Sequence, residues 1–300
     1  MVSLVSLRER VLVDLVRWAP KGTYSALVGV CARQPIPRRF RRKIYETFAR
    51  KVGANLDEVE LPLADYPTLD EFFARKLKVG ARTIVAPPEV VISPCDGTVS
   101  AVGVAASGHL IQAKGRDYRL VGLLADRPMA ARFEGGQYIT IYLAPRDYHR
   151  VHFAVGGSVA AYHHIPGALF PVNDLSARYV SSLFARNERL VTYQETPFGE
   201  VATVMVAATG VGNIQVVYDD VQTHSWKNGR SGARLVMDSP RPVSRGDELG
   251  AFHLGSTVIL LFEPGRVELE MLPLGSRVRL GEPIGRAIEL GSEAYGSDEH

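Results

Sequence analysis

From about residue 91 the chain is built of short β-branched runs cut apart by Gly, Pro, Asn and Asp. The runs at 97–104, 137–143, 151–155, 190–193, 201–207, 214–217 and 258–262 are too short for ordinary helices and are spaced by turn residues. That texture predicts a mostly antiparallel β body.

The first part of the chain has a different period. Leu4, Leu7, Val11, Leu15 and Trp18 fall on one helical face, with Ser6, Arg10, Asp14 and Arg17 opposite. A second amphipathic helix is expected after Pro37, carrying Phe40, Ile44, Phe48 and Val52 at i+4 steps. Thr68-Leu69-Asp70-Glu71 reads as a capping box opening a third, short helix through Phe72-Phe73-Ala74-Arg75. The expected class is therefore α+β, a mostly antiparallel β core with an N-terminal helical, membrane-associating region over 1–65 and a catalytic β-rich domain over 66–300.

Charge follows the same division. Residues 1–50 hold eleven Lys/Arg against three Asp/Glu, and the other 250 hold 24 against 29. A basic arm on a slightly acidic body suits an anionic partner. A membrane surface is preferred over nucleic acid, because the body is acidic and has no nucleic-acid-binding motif. Basic amphipathic helices lie in a bilayer interface with their apolar face down, or pack that face on the protein; both readings stand at this point. No uncharged apolar run reaches the ~20 residues that span a bilayer, and Arg8, Glu9, Arg10 and Asp14 interrupt any signal-peptide core. The expected compartment is the cytoplasm. Two cysteines, Cys31 and Cys95, make neither a disulfide framework nor a four-ligand zinc site.

Four segments hold polar residues that a β body does not itself require. Gly255-Ser256-Thr257 sets a small, open peptide bond and a hydroxyl at the mouth of the apolar run 258–262. Asp96 sits in Ser93-Pro94-Cys95-Asp96-Gly97, which also reads as ordinary turn chemistry. His149 and His152 lie three apart in Tyr148-His149-Arg150-Val151-His152; on a strand they face opposite sides, which weakens a metal reading. Arg186-Asn187-Glu188-Arg189 reads by default as a solvated face. Asp, His and Ser in chain order permit a base-activated nucleophile. A conventional hydrolase is disfavoured, because Ser256 precedes a strand and lacks the G-x-S-x-G elbow.

Together these segments, with 183–189 and Gly246-Asp247-Glu248-Leu249-Gly250, resemble the phosphatidylserine decarboxylase proenzymes of the longer bacterial type, over roughly residues 65–270. The chain departs from that pattern at Cys95, at Phe153-Ala154 and at Pro171. The resemblance implies autocatalytic serinolysis between Gly255 and Ser256, giving a β chain (1–255) and an α chain (256–300) that stay together as a heterodimer, itself paired into a dimer of heterodimers. It implies that His152, oriented by Asp96, takes the Ser256 proton, and that Ser256 becomes a covalent pyruvoyl group. His149 matches the second catalytic histidine, which binds the substrate carboxylate or assists decarboxylation, and Val172 lies in a substrate-side loop. The expected substrate is phosphatidylserine, the product phosphatidylethanolamine, and the location the cytoplasmic face of the cell membrane, as a peripheral protein; no metal is expected. A pyruvoyl decarboxylase of a soluble amino acid and a non-cleaving serine hydrolase are the alternatives. A carrier-type barrel module is a third, disfavoured because no lysine follows Lys227.

Overall fold

The computed structural model describes residues 30–85, 87–113, 116–172, 174–209, 213–221, 223, 232, 234–253 and 256–288. The helix expected over 4–18 and the residue Gly255 lie outside them.

An eight-stranded antiparallel sheet organises the body. Its strands run, edge to edge, Arg234–Val243, Gly157–Ile165, Arg189–Thr196, Gly199–Ala207, Ser256–Phe262, Gln137–Leu143, Gly97–Val104 and Arg277–Val278. The Ser256–Phe262 strand is buried at every residue, which explains the unbroken apolar run from Val258 to Phe262. Side chains alternate across it. Val258, Leu260 and Phe262 join one core with Val151, Phe153, Leu249 and Phe252. Ile259 and Leu261 join another with Leu120, Leu123, Phe133 and Phe184.

Two small sheets cover the first face. One comprises Asn213–Val216, Glu248–His253 and Arg150–His152; the other Val90–Ile92, Pro283–Ala287 and Val267–Leu269. The second face lies under the helices Leu120–Leu124, Arg127–Phe133, Asp174–Tyr179 and Leu183–Arg186 and the hairpin of His109–Ala113 with Arg116–Arg119. The architecture is thus mostly antiparallel β with few helices. Among the described residues, no helix is long and apolar enough to cross a membrane.

The helix after Pro37 runs Arg38–Val52 and ends in a left-handed Gly53. Its packed side is rotated from the expected row. Tyr45 and Ala49 are buried and Phe48 is partly so, against Tyr66 and Phe72, while Phe40 and Ile44 remain exposed. Tyr45 stacks on Phe72 at 4.4 Å and donates its hydroxyl to the Tyr66 carbonyl at 2.9 Å. The helix therefore packs on the body and also keeps two apolar side chains outside.

Candidate active site

Ser256 is the first residue of the central strand, with Leu143 and Ala207 as its cross-strand partners, and it is fully buried. Its side chain shares the face of Val258 and Leu260 by the two-residue period. The Arg150–His152 segment covers that face.

The loop after Gln137–Leu143 aims an imidazole at Ser256. Asp147 closes the turn: its N–H donates to the Ala144 carbonyl at 2.8 Å and its carboxylate accepts from the Ala144 N–H at 2.7 Å. Arg277 holds the other Asp147 oxygen at 2.6 Å. The Ala144 carbonyl also accepts from His149 Nε2–H at 2.9 Å. A carbonyl can only accept, so the His149 proton resides on Nε2 and Nδ1 presents a lone pair. That Nδ1 lies 3.1 Å from Ser256 Oγ and accepts its hydroxyl proton. Burial pushes the His149 pKa down to about 3, so the ring is neutral. Phe73 stacks against it with ring centroids 4.0 Å apart.

His152 and Asp96 bond to groups other than Ser256 and each other in this structure. His152 Nδ1–H donates to the Gly246 carbonyl at 2.8 Å, and Nε2 accepts from the Tyr148 hydroxyl at 3.2 Å. Burial lowers its pKa, opposed by the Gly246 hydrogen bond and by the charges of Glu248 and Asp96. Asp96 accepts from Arg82 with both oxygens and from the Leu280 N–H at 2.9 Å. Arg82 also holds Glu58 at 2.9 Å. The physical reason is competition: a guanidinium offers a carboxylate two parallel charge-assisted bonds, and an imidazole offers one.

The cluster at 186–189 is solvated only at Arg186. Asn187, Glu188 and Arg189 are all buried. Asn187 Nδ2 donates to the carbonyls of Phe170 and Ala207, at 2.8 and 2.9 Å, and its Oδ1 accepts from Phe170 N–H. One side chain thereby ties the Phe170–Val172 loop to the strand residue opposite Ser256. Val172 is buried in the second core. Arg189 donates to the carbonyls of Leu123 and Gly122, and Glu188 accepts from His164 at 2.9 Å. Sequence reasoning missed these roles, since a polar run carries no sign of burial.

A cleft of about 160 Å³ opens beside Tyr148, between the helical segment and the body. Five arginines, including Arg75, Arg146 and Arg277, face three carboxylates there. Among the described residues no group of three His, Cys, Asp or Glu stands together as a metal site.

The family model described as phosphatidylserine decarboxylase matches residues 69–286. A phosphatidylserine decarboxylase proenzyme of Anaeromyxobacter sp. (strain K) is 47% identical over 282 residues, covering 94% of this chain and all of the relative. Proteins of the same name from Myxococcus xanthus (strain DK1622) and Brevibacillus brevis (strain 47 / JCM 6285 / NBRC 100599) are 43% and 41% identical. The first of these covers 93% of this chain and 99% of the relative, the second 87% and 91%.

Proposed function

The chain belongs to the phosphatidylserine decarboxylase family of carboxy-lyases, and we propose that it reaches that activity by cutting itself between Gly255 and Ser256. The observation that carries this reading is the hydrogen bond from the buried Ser256 hydroxyl to a neutral imidazole at the mouth of a fully paired strand.

Loss of the Oγ proton lets Ser256 Oγ bond to the Gly255 carbonyl carbon as the carbon–nitrogen bond breaks, leaving an ester and a free amine. Loss of the Cα proton then breaks the Cβ–Oγ bond and frees the Gly255 carboxylate. The resulting enamine tautomerises to an imine, and water hydrolyses it with release of ammonia. Residue 256 is left as a pyruvoyl group at the start of an α chain, with the β chain ending at 255. The site suits such a group: it derives from the atoms of residue 256, which the ladders to Leu143 and Ala207 hold in place. Once formed, it supplies an electron sink for the loss of carbon dioxide from an amino acid headgroup.

The two histidines divide the work. His149, with its pKa near 3, is a poor resting place for a proton; it orients the hydroxyl and then faces residue 256 during decarboxylation. His152 lies in the field of Asp96 and Glu248, which favours its charged form. It is the proton acceptor for cleavage once it leaves Tyr148 and Gly246, and Asp96 supports it by charge. Catalytic contacts often tighten only in the reacting state. Val172, two residues from the Phe170 that Asn187 holds, is the residue of this loop proposed to face the substrate.

The substrate is a lipid, and two features suit it. Phe40 and Ile44 are exposed on a helix that also exposes Arg39, Lys43, Arg50 and Lys51, as a helix docking on an anionic leaflet requires. The arginine-walled cleft suits a headgroup bearing phosphate and carboxylate. The protein is read as peripheral on the cytoplasmic face of the membrane, as a dimer of α–β heterodimers. Phosphatidylserine turnover by purified protein, lost together with cleavage in Ser256→Ala, tests the reading; turnover by an uncut chain contradicts it.

A further inference from the structure

The short helix Leu69–Phe73 contacts His253, ahead of the bond that the proposed function requires to break, and His149, the imidazole bonded to the residue that follows that bond. Thr68 caps it, accepting from the Glu71 N–H at 3.1 Å. Asp70 and Phe73, three apart, share a face. Phe73 stacks on His149, the imidazole bonded to Ser256. Asp70 accepts from Nδ1–H of His253 at 2.9 Å, and His253 is two residues ahead of the Gly255–Ser256 bond. The segment is pinned further. Phe252 N–H donates to the His149 carbonyl at 2.9 Å, and Arg150 Nε donates to the Ala74 carbonyl at the helix end, also at 2.9 Å. Among the described residues, neither the remaining Asp70 oxygen, Oδ1, nor the His253 Nε2, both buried atoms, has a hydrogen-bond partner. A buried carboxylate tied to a half-buried imidazole at that cost is not what simple packing selects.

We propose that Asp70 and His253 are positioning residues for self-cleavage: their hydrogen bond fixes residue 253 to the helix that fixes His149. The chain before the scissile bond and the imidazole after it are thereby held in one frame. This rests on the cleavage reading above. Neither residue exchanges a proton with Ser256; each acts by placing the backbone that Ser256 attacks.

Cleavage of the freshly translated full-length chain is followed over time for Asp70→Ala, Asp70→Asn, His253→Ala and the double Ala variant. Each substitution is also made in Ser256→Ala, where the chain stays uncut and thermal unfolding reports stability alone. The expected result is cleavage slowed by about tenfold or more in each single Ala variant. Asp70→Asn, whose amide oxygen still accepts from Nδ1–H, restores most of the rate. The double variant is no slower than the slower single one, as for two members of one contact. Cleavage within about twofold of the parent in both Ala variants, with Ser256→Ala still uncut, overturns the proposal and leaves the cleavage reading intact. Rates that fall only in step with the unfolding temperature, without rescue by Asn, overturn it as well. A parent chain that never cuts overturns the underlying reading itself.

Discussion

His149 Nδ1 lies 3.1 Å from Ser256 Oγ, while His152, three residues on, bonds to Gly246 and Tyr148 instead. The imidazole in contact with Ser256 and the imidazole beside the charges of Asp96 and Glu248 are thus different residues. His152→Ala is expected to leave the chain uncut, and His149→Ala, which loses the orientation of the hydroxyl, to cut more slowly and to lose decarboxylation by about 10²-fold or more. Gel analysis of cleavage beside carbon dioxide release separates the two. An uncut His149→Ala chain with normally cut His152→Ala reverses the assignment.

Asp96 has a structural load apart from any catalytic one. It is the buried partner of Arg82, whose side chain is only 9% exposed. Removing one member of a buried pair leaves the other charge stranded. Asp96→Ala is expected to cost about 3 kcal/mol, the low end of that effect because Glu58 remains on Arg82. Urea unfolding in the uncut Ser256→Ala background measures it, and a loss below about 1 kcal/mol contradicts the role.

Acid should destabilise the fold. Burial holds His149 near pKa 3 and lowers His152 and His163. Unfolding frees the rings to titrate near ~6.5, so below that pH the unfolded chain binds more protons than the folded one. The imidazole contribution is then constant above about pH 7, and stability falls as pH drops from ~6.5 toward ~3. Glu200, raised by burial, acts in the opposite sense, but it is one carboxyl against three imidazoles. Unfolding free energy measured at pH 7.5 and at pH 5 checks the sign; greater stability at pH 5 contradicts it.

The Arg38–Val52 helix offers a membrane test that spares the fold. Deleting it would uncover Phe72 and Tyr66. Phe40→Ser with Ile44→Ser changes only exposed positions. The double variant is expected to bind vesicles containing phosphatidylglycerol about tenfold more weakly, from the apolar area no longer buried in lipid. Unchanged sedimentation with equal unfolding temperature contradicts docking through this face.

Much of the body was legible because its strands are β-branched and bounded by turn residues: 97–104 and 137–143 coincide with strands of the sheet. Gly157–Ile165 was missed, since its centre reads Ala160-Ala161-Tyr162-His163-His164. Arg234–Val243 was missed because an exposed edge strand has no need of apolar residues and tolerates Pro240 and Pro242. At Gly97 a turn preference hid a steric demand. A Cβ there would lie 2.5 Å from the Ile141 side chain and 2.7 Å from the Tyr142 carbonyl oxygen. Ser256, His149 and His152 stand out in their motifs, but which histidine meets Ser256 does not. That choice is made by the Ala144–Asp147 turn, whose hydrogen bonds depend on the distant Arg277.

The fate of residue 256 is read from the intact mass of active, purified protein. Two chains are predicted, 1–255 and 256–300, the smaller beginning with a pyruvoyl group in place of Ser256 and therefore blocked to N-terminal sequencing. A single full-length chain in an active preparation would contradict it.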